Sequence, residues 1–232
     1  MLLCIFTKRE VTHFMKYLRI FKRTEEDAFW ERQRRIAYST PGSILEAYHT
    51  FLISENIPVS SDEDLIRKHL RGRVDLQEGI LRFYKNAQLE NERIAILEDI
   101  YAIDKSSPLV VQLALEAFHS SVRPANLWDY GELLYRINNF QHLEQYILLA
   151  ENEALGDARQ MIVLLLGKSK QKNVIPTLIR LLEDGSVCGH ALDALSNFKG
   201  DEVRQIMERF RFHKSEWIRE IAIKYLKKHR SL

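Results

Sequence analysis

The 232-residue sequence contains few cysteines, glycines and prolines: two, nine and five, respectively. The two cysteines, Cys4 and Cys188, lie far apart in sequence, which excludes a disulfide framework and a closely spaced thiol pair for zinc. This cysteine usage is typical of the reducing cytoplasm, where we expect the protein to reside. Gly and Pro form most of the turns that separate short strands. Because both are scarce, the composition favours helices joined by short connections.

Long apolar runs are also missing. The opening "MLLCIF" is too short for a signal-peptide core and is followed by charged residues rather than a cleavage site. No run approaches the roughly 20 apolar residues of a membrane span, so we expect no membrane association. A second methionine, Met15, opens "MKYLRIFKR", and translation from Met1 and from Met15 both remain open.

The sequence shows no recognisable catalytic or metal-binding motif. Its eight histidines are scattered, and it has no phosphate-binding loop, dinucleotide fingerprint or nucleophile elbow. Cys188 and His190 are two residues apart, which places them on different faces of a helix. We interpret them as structural residues. The expected function is therefore non-enzymatic, with no cofactor and no metal.

Charge is unevenly distributed along the chain, although the formal net charge is only +2. Residues 1–35 carry nine Lys/Arg against five Asp/Glu, and residues 204–230 carry nine against three, so the middle is acidic. Basic ends can contact nucleic acid or an acidic partner, but most charge on a helical protein lies on solvated faces.

Three segments repeat one apolar pattern at an offset of about 30 residues: "ARQMIVLLLG" (158–167), "VCGHALDALS" (187–196) and "IREIAIKYLK" (218–227). Between them, "NVIPTLIRLLED" (173–184) aligns with "EVRQIMERFRFH" (202–213). Apolar residues recur at helical spacing in each segment. The pattern predicts units of helix, short turn and helix, with Gly167 as a C-terminal helix stop.

These units resemble HEAT-like repeats, in the short form also found in phycobilin lyases. The family pattern has an Asp, a turn, Val-Arg, an apolar helix ending in Leu-Gly, and a second helix closing on Asp. Arg159 and Arg219 match the family arginine, whereas Cys188 replaces it in the middle unit, so a continuous Arg–Asp ladder is not expected there. The resemblance covers about residues 155–230 and implies an all-α solenoid, a superhelix of stacked antiparallel helix pairs whose concave face is lined by the second helices.

Upstream segments also have helical patterns, and "VVQLALEAFH" matches the first-helix template. Ser43 followed by Glu46 is a helix-entry signal. We predict an N-terminal basic extension and first helix (1–42), divergent helical repeats (43–154) and clear repeats (155–232), forming one continuous solenoid. The predicted helices before the clear repeats span 43–54, 61–72, 74–86, 91–104, 110–119, 126–137 and 139–154.

The resemblance implies a scaffold or adaptor that binds a protein or peptide on its concave face. The side chains expected there are Lys172, Thr177, Arg180, Glu183, Arg204, Gln205, Glu208 and Arg209. One alternative is a nucleic-acid binder like the HEAT-like DNA glycosylases, because basic residues near aromatics suit phosphate contact and stacking. Its expected phosphate contacts are Arg32, Arg34, Arg35, Arg71 and Arg73. A bilin-lyase-like subunit is a further alternative, and the oligomeric state stays open.

Two other clusters have competing interpretations. The acidic stretch 97–104 could present Glu98, Asp99 and Asp104 together, but their spacing favours a solvated helix edge. Aromatic residues gather where the repeat spacing breaks. They are expected to pack an irregular junction, with an exposed binding hot spot as the alternative. These residues are Trp128, Tyr130, Tyr135 and Phe140.

Overall fold

The computed structural model describes residues 42–59, 63–121, 124 and 126–229. Within those ranges the chain is all-helical, with no strand, which confirms the predicted all-α class. No helix among these residues combines the length and apolar character needed to cross a membrane. The predicted extension over 1–42 lies outside the described residues except for Gly42.

The described residues fall into two compact units that divide between Asn126 and Leu127. The described part of the first unit has five α-helices and a short 3₁₀ turn at Val74–Leu76. Its helices are α1 (Ile44–Ser54), α2 (Glu63–Leu70), α3 (Gln77–Asn86), α4 (Glu90–Ile103) and α5 (Pro108–His119).

Over its described residues, the second unit has seven α-helices and three 3₁₀ segments, at Glu153–Arg159, Lys172–Val174 and Leu181–Glu183. Its first two helices lie within 127–151, part of the range 43–154 predicted as divergent repeats. Its helices are α6 (Leu127–Ile137), α7 (Leu143–Glu151), α8 (Gln160–Ser169), α9 (Ile175–Arg180), α10 (Cys188–Leu195), α11 (Asp201–Phe210) and α12 (Glu216–Lys228).

In the first unit, a buried carboxylate joins three helices. Helix α4 packs against α2, α3 and α5. The Tyr48 hydroxyl on α1 donates a hydrogen bond to Asp99 on α4 at 2.8 Å, and the Nε atom of Arg67 on α2 lies 3.6 Å from the same carboxylate. The prediction that Asp99 belongs to a solvated edge is wrong. It failed because a buried carboxylate with both a donor and a cation nearby can be accommodated inside a helical core.

In the second unit, alternate helices pack in succession: α6 on α8, α8 on α10 and α10 on α12. The intervening helices α7, α9 and α11 each pack against the helix that follows them. Helix α8 is buried from Gln160 through Gly167, as expected for a helix with neighbours on several sides. This order agrees with the predicted helix–turn–helix units.

Gly167 has a different role from the predicted helix stop. Helix α8 continues to Ser169 and ends at Lys170, which adopts a left-handed backbone conformation with φ 56°. A Cβ atom added at Gly167 would lie 2.6 Å from the Cα atom of Ala194 on α10. The glycine is therefore needed for the close approach of α8 to α10.

The predicted helix over 139–154 is too long at both ends. The Asn139 side chain accepts a hydrogen bond from the backbone N–H of Gln141, which favours a turn before α7. The Asn152 side chain does the same for Ala154 after α7. Gly156 then bends the chain with φ 52°, a conformation that glycine adopts at little cost.

The buried side chain of Arg159 holds the turn between α9 and α10. It is 1% exposed and forms an ion pair through Nη2 with the Asp184 carboxylate. Its Nη1 donates to the carbonyl of Ala150 at 2.8 Å, and its Nε donates to the carbonyl of Gly156 at 3.1 Å. One guanidinium group thus fixes the end of α7, the bend before α8 and the turn before α10.

The repeat register is visible in the hydrogen bonds of two aligned turns. Asp184 accepts a hydrogen bond from the backbone N–H of Ser186 at 2.9 Å. At the aligned position, His213 Nδ1 accepts one from the backbone N–H of Ser215 at 3.1 Å. The two turns are therefore built in the same way although the accepting side chain differs.

Replacing Asp184 with Ala is expected to lower the free energy of unfolding by about 3 kcal/mol, because it leaves the buried Arg159 guanidinium without its counter-ion. Urea denaturation at pH 7 measures this loss. The matched control is Arg180→Ala, which removes an ion pair with Glu151 whose arginine is mostly exposed. The control substitution should lower the free energy of unfolding by no more than about 1 kcal/mol. Equal losses in the two variants would contradict the role assigned to Arg159.

Candidate functional site

A surface groove of about 510 Å³ lies beside the Arg159–Asp184 ion pair. Its walls come from the end of α7, the segment after it, and the turn that follows α9. The lining residues are Glu151, Glu153, Arg159, Arg180, Leu181, Glu183, Asp184, Gly185 and Ser186.

One wall of the groove is a small hydrogen-bonded network around Glu151. Its carboxylate accepts a hydrogen bond from the Thr177 hydroxyl at 2.9 Å and pairs with the Arg180 guanidinium. Burial acts to raise the pKa of Glu151, but the hydrogen bonds from Arg180 and Thr177 outweigh it, so the pKa is lowered. Glu151 is consequently held in its charged form at neutral pH.

The groove carries an excess of negative charge. Both of its arginines already face a carboxylate, Arg159 with Asp184 and Arg180 with Glu151. Glu153 and Glu183 are exposed, and within the described residues neither forms an ion pair. A ligand that brings a cation would therefore be favoured over one that brings an anion.

The structure exposes most, but not all, of the side chains expected on the concave face. Thr177 is 4% exposed, and its hydroxyl donates a hydrogen bond to Glu151. Contrary to the prediction, it is not accessible to a partner. Arg204 is half-buried, with Nη1 donating to the carbonyl of His229 at 3.2 Å. Glu208 is half-buried and pairs with Arg211 at 2.9 Å. The exposed members of the set are Lys172, Arg180, Glu183, Gln205 and Arg209.

The expected phosphate contacts are only partly described. Arg32, Arg34 and Arg35 lie outside the described residues. Arg71 is exposed. Arg73 pairs with Asp75 at 2.8 Å, and its Nη1 also donates to the carbonyl of Glu55. The hydrogen bond from Arg73 lowers the pKa of Asp75, so this pair stays ionised and offers little net charge to a phosphate.

Cys188 and His190 both lie in the core of the second unit. The His190 ring stands edge-on to the Trp217 ring, with 5.8 Å between centroids. A Cβ atom added at Gly189 would lie 1.9 Å from the Trp217 ring, so this glycine admits the indole against the backbone of α10. Within the described residues, no group of three His, Cys, Asp or Glu side chains could hold a metal ion.

The aromatic cluster is mainly part of the packing of the second unit. Tyr130 is buried, and Trp128 Nε1 donates to the Gln160 side chain at 3.3 Å. The Lys168 ammonium lies 3.5 Å from the centroid of the Tyr135 ring. Burial and the nearby Asp193 raise the pKa of Tyr135 to about 12. These contacts agree with the packing interpretation.

Sequence reasoning missed the groove itself. Its exposed carboxylates lie on segments far apart in sequence, and they meet because Arg159 fixes both of those segments. The one signal in the sequence is the pair formed by Arg159 and Asp184, each at a position where the HEAT-like pattern expects that residue type. Comparison with protein-family models and with curated proteins found no match to this chain.

The burial of His190 predicts a dependence of stability on pH. Burial lowers its pKa to about 3 from an ordinary value of 6.5. Between these values the unfolded chain binds a proton that the folded chain does not, so stability is full above pH 6.5 and falls as the pH decreases. The His190 contribution should fall by about 3 kcal/mol between pH 7 and pH 4.

Urea denaturation of His190→Gln at pH 7 and pH 4 measures this contribution, because the variant lacks the titrating ring. Its loss of stability between the two pH values should be smaller than that of the wild type. The matched control is His119→Gln, since His119 is exposed at the end of α5. An identical pH dependence in wild type and His190→Gln would contradict the assignment.

Proposed function

We propose that this chain is a HEAT-like repeat protein that acts as a non-enzymatic cytoplasmic scaffold or adaptor, forms an α-solenoid and binds a protein partner. The observation that carries the proposal is the groove beside Arg159, because exposed charged side chains surround a concavity whose walls are held by ion pairs. Lys172, Gln205 and Arg209, which the sequence also places on the concave face, are exposed and therefore accessible to a partner.

The chemistry of the groove supports a peptide segment as the ligand. A groove of about 510 Å³ holds a few side chains rather than a whole domain face. Its exposed carboxylates, Glu153 and Glu183, suit a segment that carries Lys or Arg. Arg180 offers additional hydrogen-bond donors at the same edge.

Affinity purification from the native host under mild salt tests the proposal. A Glu153→Lys/Glu183→Lys double variant should lose the partner protein that the wild-type chain recovers, because two attractive charges become repulsive. The matched control is Glu220→Lys, which reverses an exposed charge on α12. The control should retain the partner.

Circular dichroism must show that the double variant remains folded, which its exposed positions predict. Recovery of the same proteins by all three chains would remove the groove as the binding surface. Recovery of nucleic acid in place of protein, with binding that falls steeply as salt increases, would favour the nucleic-acid alternative.

A further inference from the structure

A second surface lies at the turn between α11 and α12, where Arg219 makes bonds like those of Arg159. Its Nη1 donates to the carbonyls of His213 and Lys214, both at 2.8 Å. Arg159 binds the carbonyl of Gly156 in the turn before its own helix. The two arginines thus occupy the same position of the aligned sequence segments, and each donates to a carbonyl shortly before it in the chain.

The two arginines differ in what their other nitrogens contact. Arg159 pairs with Asp184, which lies 25 residues later in the chain. Arg219 is half-buried, and within the described residues its Nε and Nη2 atoms have no hydrogen-bond or ion-pair partner. Among the described residues, no carboxylate pairs with Arg219 as Asp184 pairs with Arg159.

The middle unit lacks both members of this ion pair. Cys188 stands where the other units have arginine, and His213 stands where Asp184 would align. Cys188 is buried and needs no counter-ion. Among the three aligned positions, only that of Arg219 has an arginine with no carboxylate partner in the described part of the chain.

An exposed aromatic ring belongs to the same turn. Phe212 is 78% exposed, the highest value for a large apolar side chain in the described chain. The Arg211 guanidinium lies 4.7 Å from the centroid of its ring. Exposed aromatic and arginine side chains in one place are typical of binding hot spots. The hydrogen bond from the backbone N–H of Ser215 to His213 Nδ1 also stabilises this turn.

We propose that residues 211–219 are a docking site for an acidic segment of a partner protein. An Asp or Glu of that segment pairs with Arg219, as Asp184 pairs with Arg159, and an apolar side chain of the segment covers Phe212. Charge complementarity supports this ligand, since within the described residues Lys214 and Arg219 form no ion pair and the stretch has one anion, Glu216, while its third cation, Arg211, pairs with Glu208. The site is separate from the groove and shares with the proposed function only the premise that the chain binds protein.

Selection from a random peptide display library, with the full chain as bait, tests the proposal. The selected peptides should carry Asp or Glu close to an apolar residue. Fluorescence anisotropy should show binding at least about tenfold weaker for Arg219→Gln and for Phe212→Ser, a range typical of hot-spot positions. The matched control is Arg71→Gln, which removes an exposed arginine from the first unit and should bind like the wild type.

Phe212→Ser keeps the test valid if Arg219→Gln is unstable, because Phe212 makes few contacts that folding needs. Enrichment of basic peptides, or of none, overturns the proposal. Peptides that bind Arg219→Gln and Phe212→Ser as well as the wild type also overturn it. If such peptides lose binding to the Glu153→Lys/Glu183→Lys variant, the groove stands as a binding surface and only the second site fails.

Discussion

The ion pair between Arg159 and Asp184 is the interaction on which the second unit depends most directly. Burying a guanidinium costs several kcal/mol unless its donors and its charge are matched. Here three of its nitrogens have partners, on three separate segments of the chain. Moving the end of α7, the bend before α8 or the turn before α10 would leave a donor or the charge of the buried guanidinium unmatched. The positions of these three segments are therefore closely constrained.

The groove follows from that constraint. Arg159 and Asp184 both line the groove, and so do Glu151 and Arg180, which form a second ion pair. Side chains held by ion pairs lose little further freedom when a ligand arrives, which favours binding. The exposed Glu153 and Glu183 then add charge to walls that are already positioned.

Helical spacing predicted most of the elements of the fold but not their exact ends. The aligned segments at 158–167, 187–196 and 218–227 correspond to α8, α10 and α12, because apolar periodicity reports directly on a buried helix face. Sequence reasoning failed where a tertiary partner decided the outcome. Gly167 looked like a helix stop because its contact with Ala194 is invisible in sequence. Asp99 looked solvated because Tyr48, its hydrogen-bond partner, is 51 residues away.

The same repeat position has three different states in this chain, and their differences follow from electrostatics. Arg159 pairs with a carboxylate, Cys188 carries no charge, and Arg219 keeps the charge but pairs with no carboxylate among the described residues. A lone guanidinium is tolerable only where water can reach it, and Arg219 is half-buried while Arg159 is 1% exposed. The proposed docking of an acidic segment at the α11–α12 turn would give Arg219 the kind of partner that Arg159 has inside the unit.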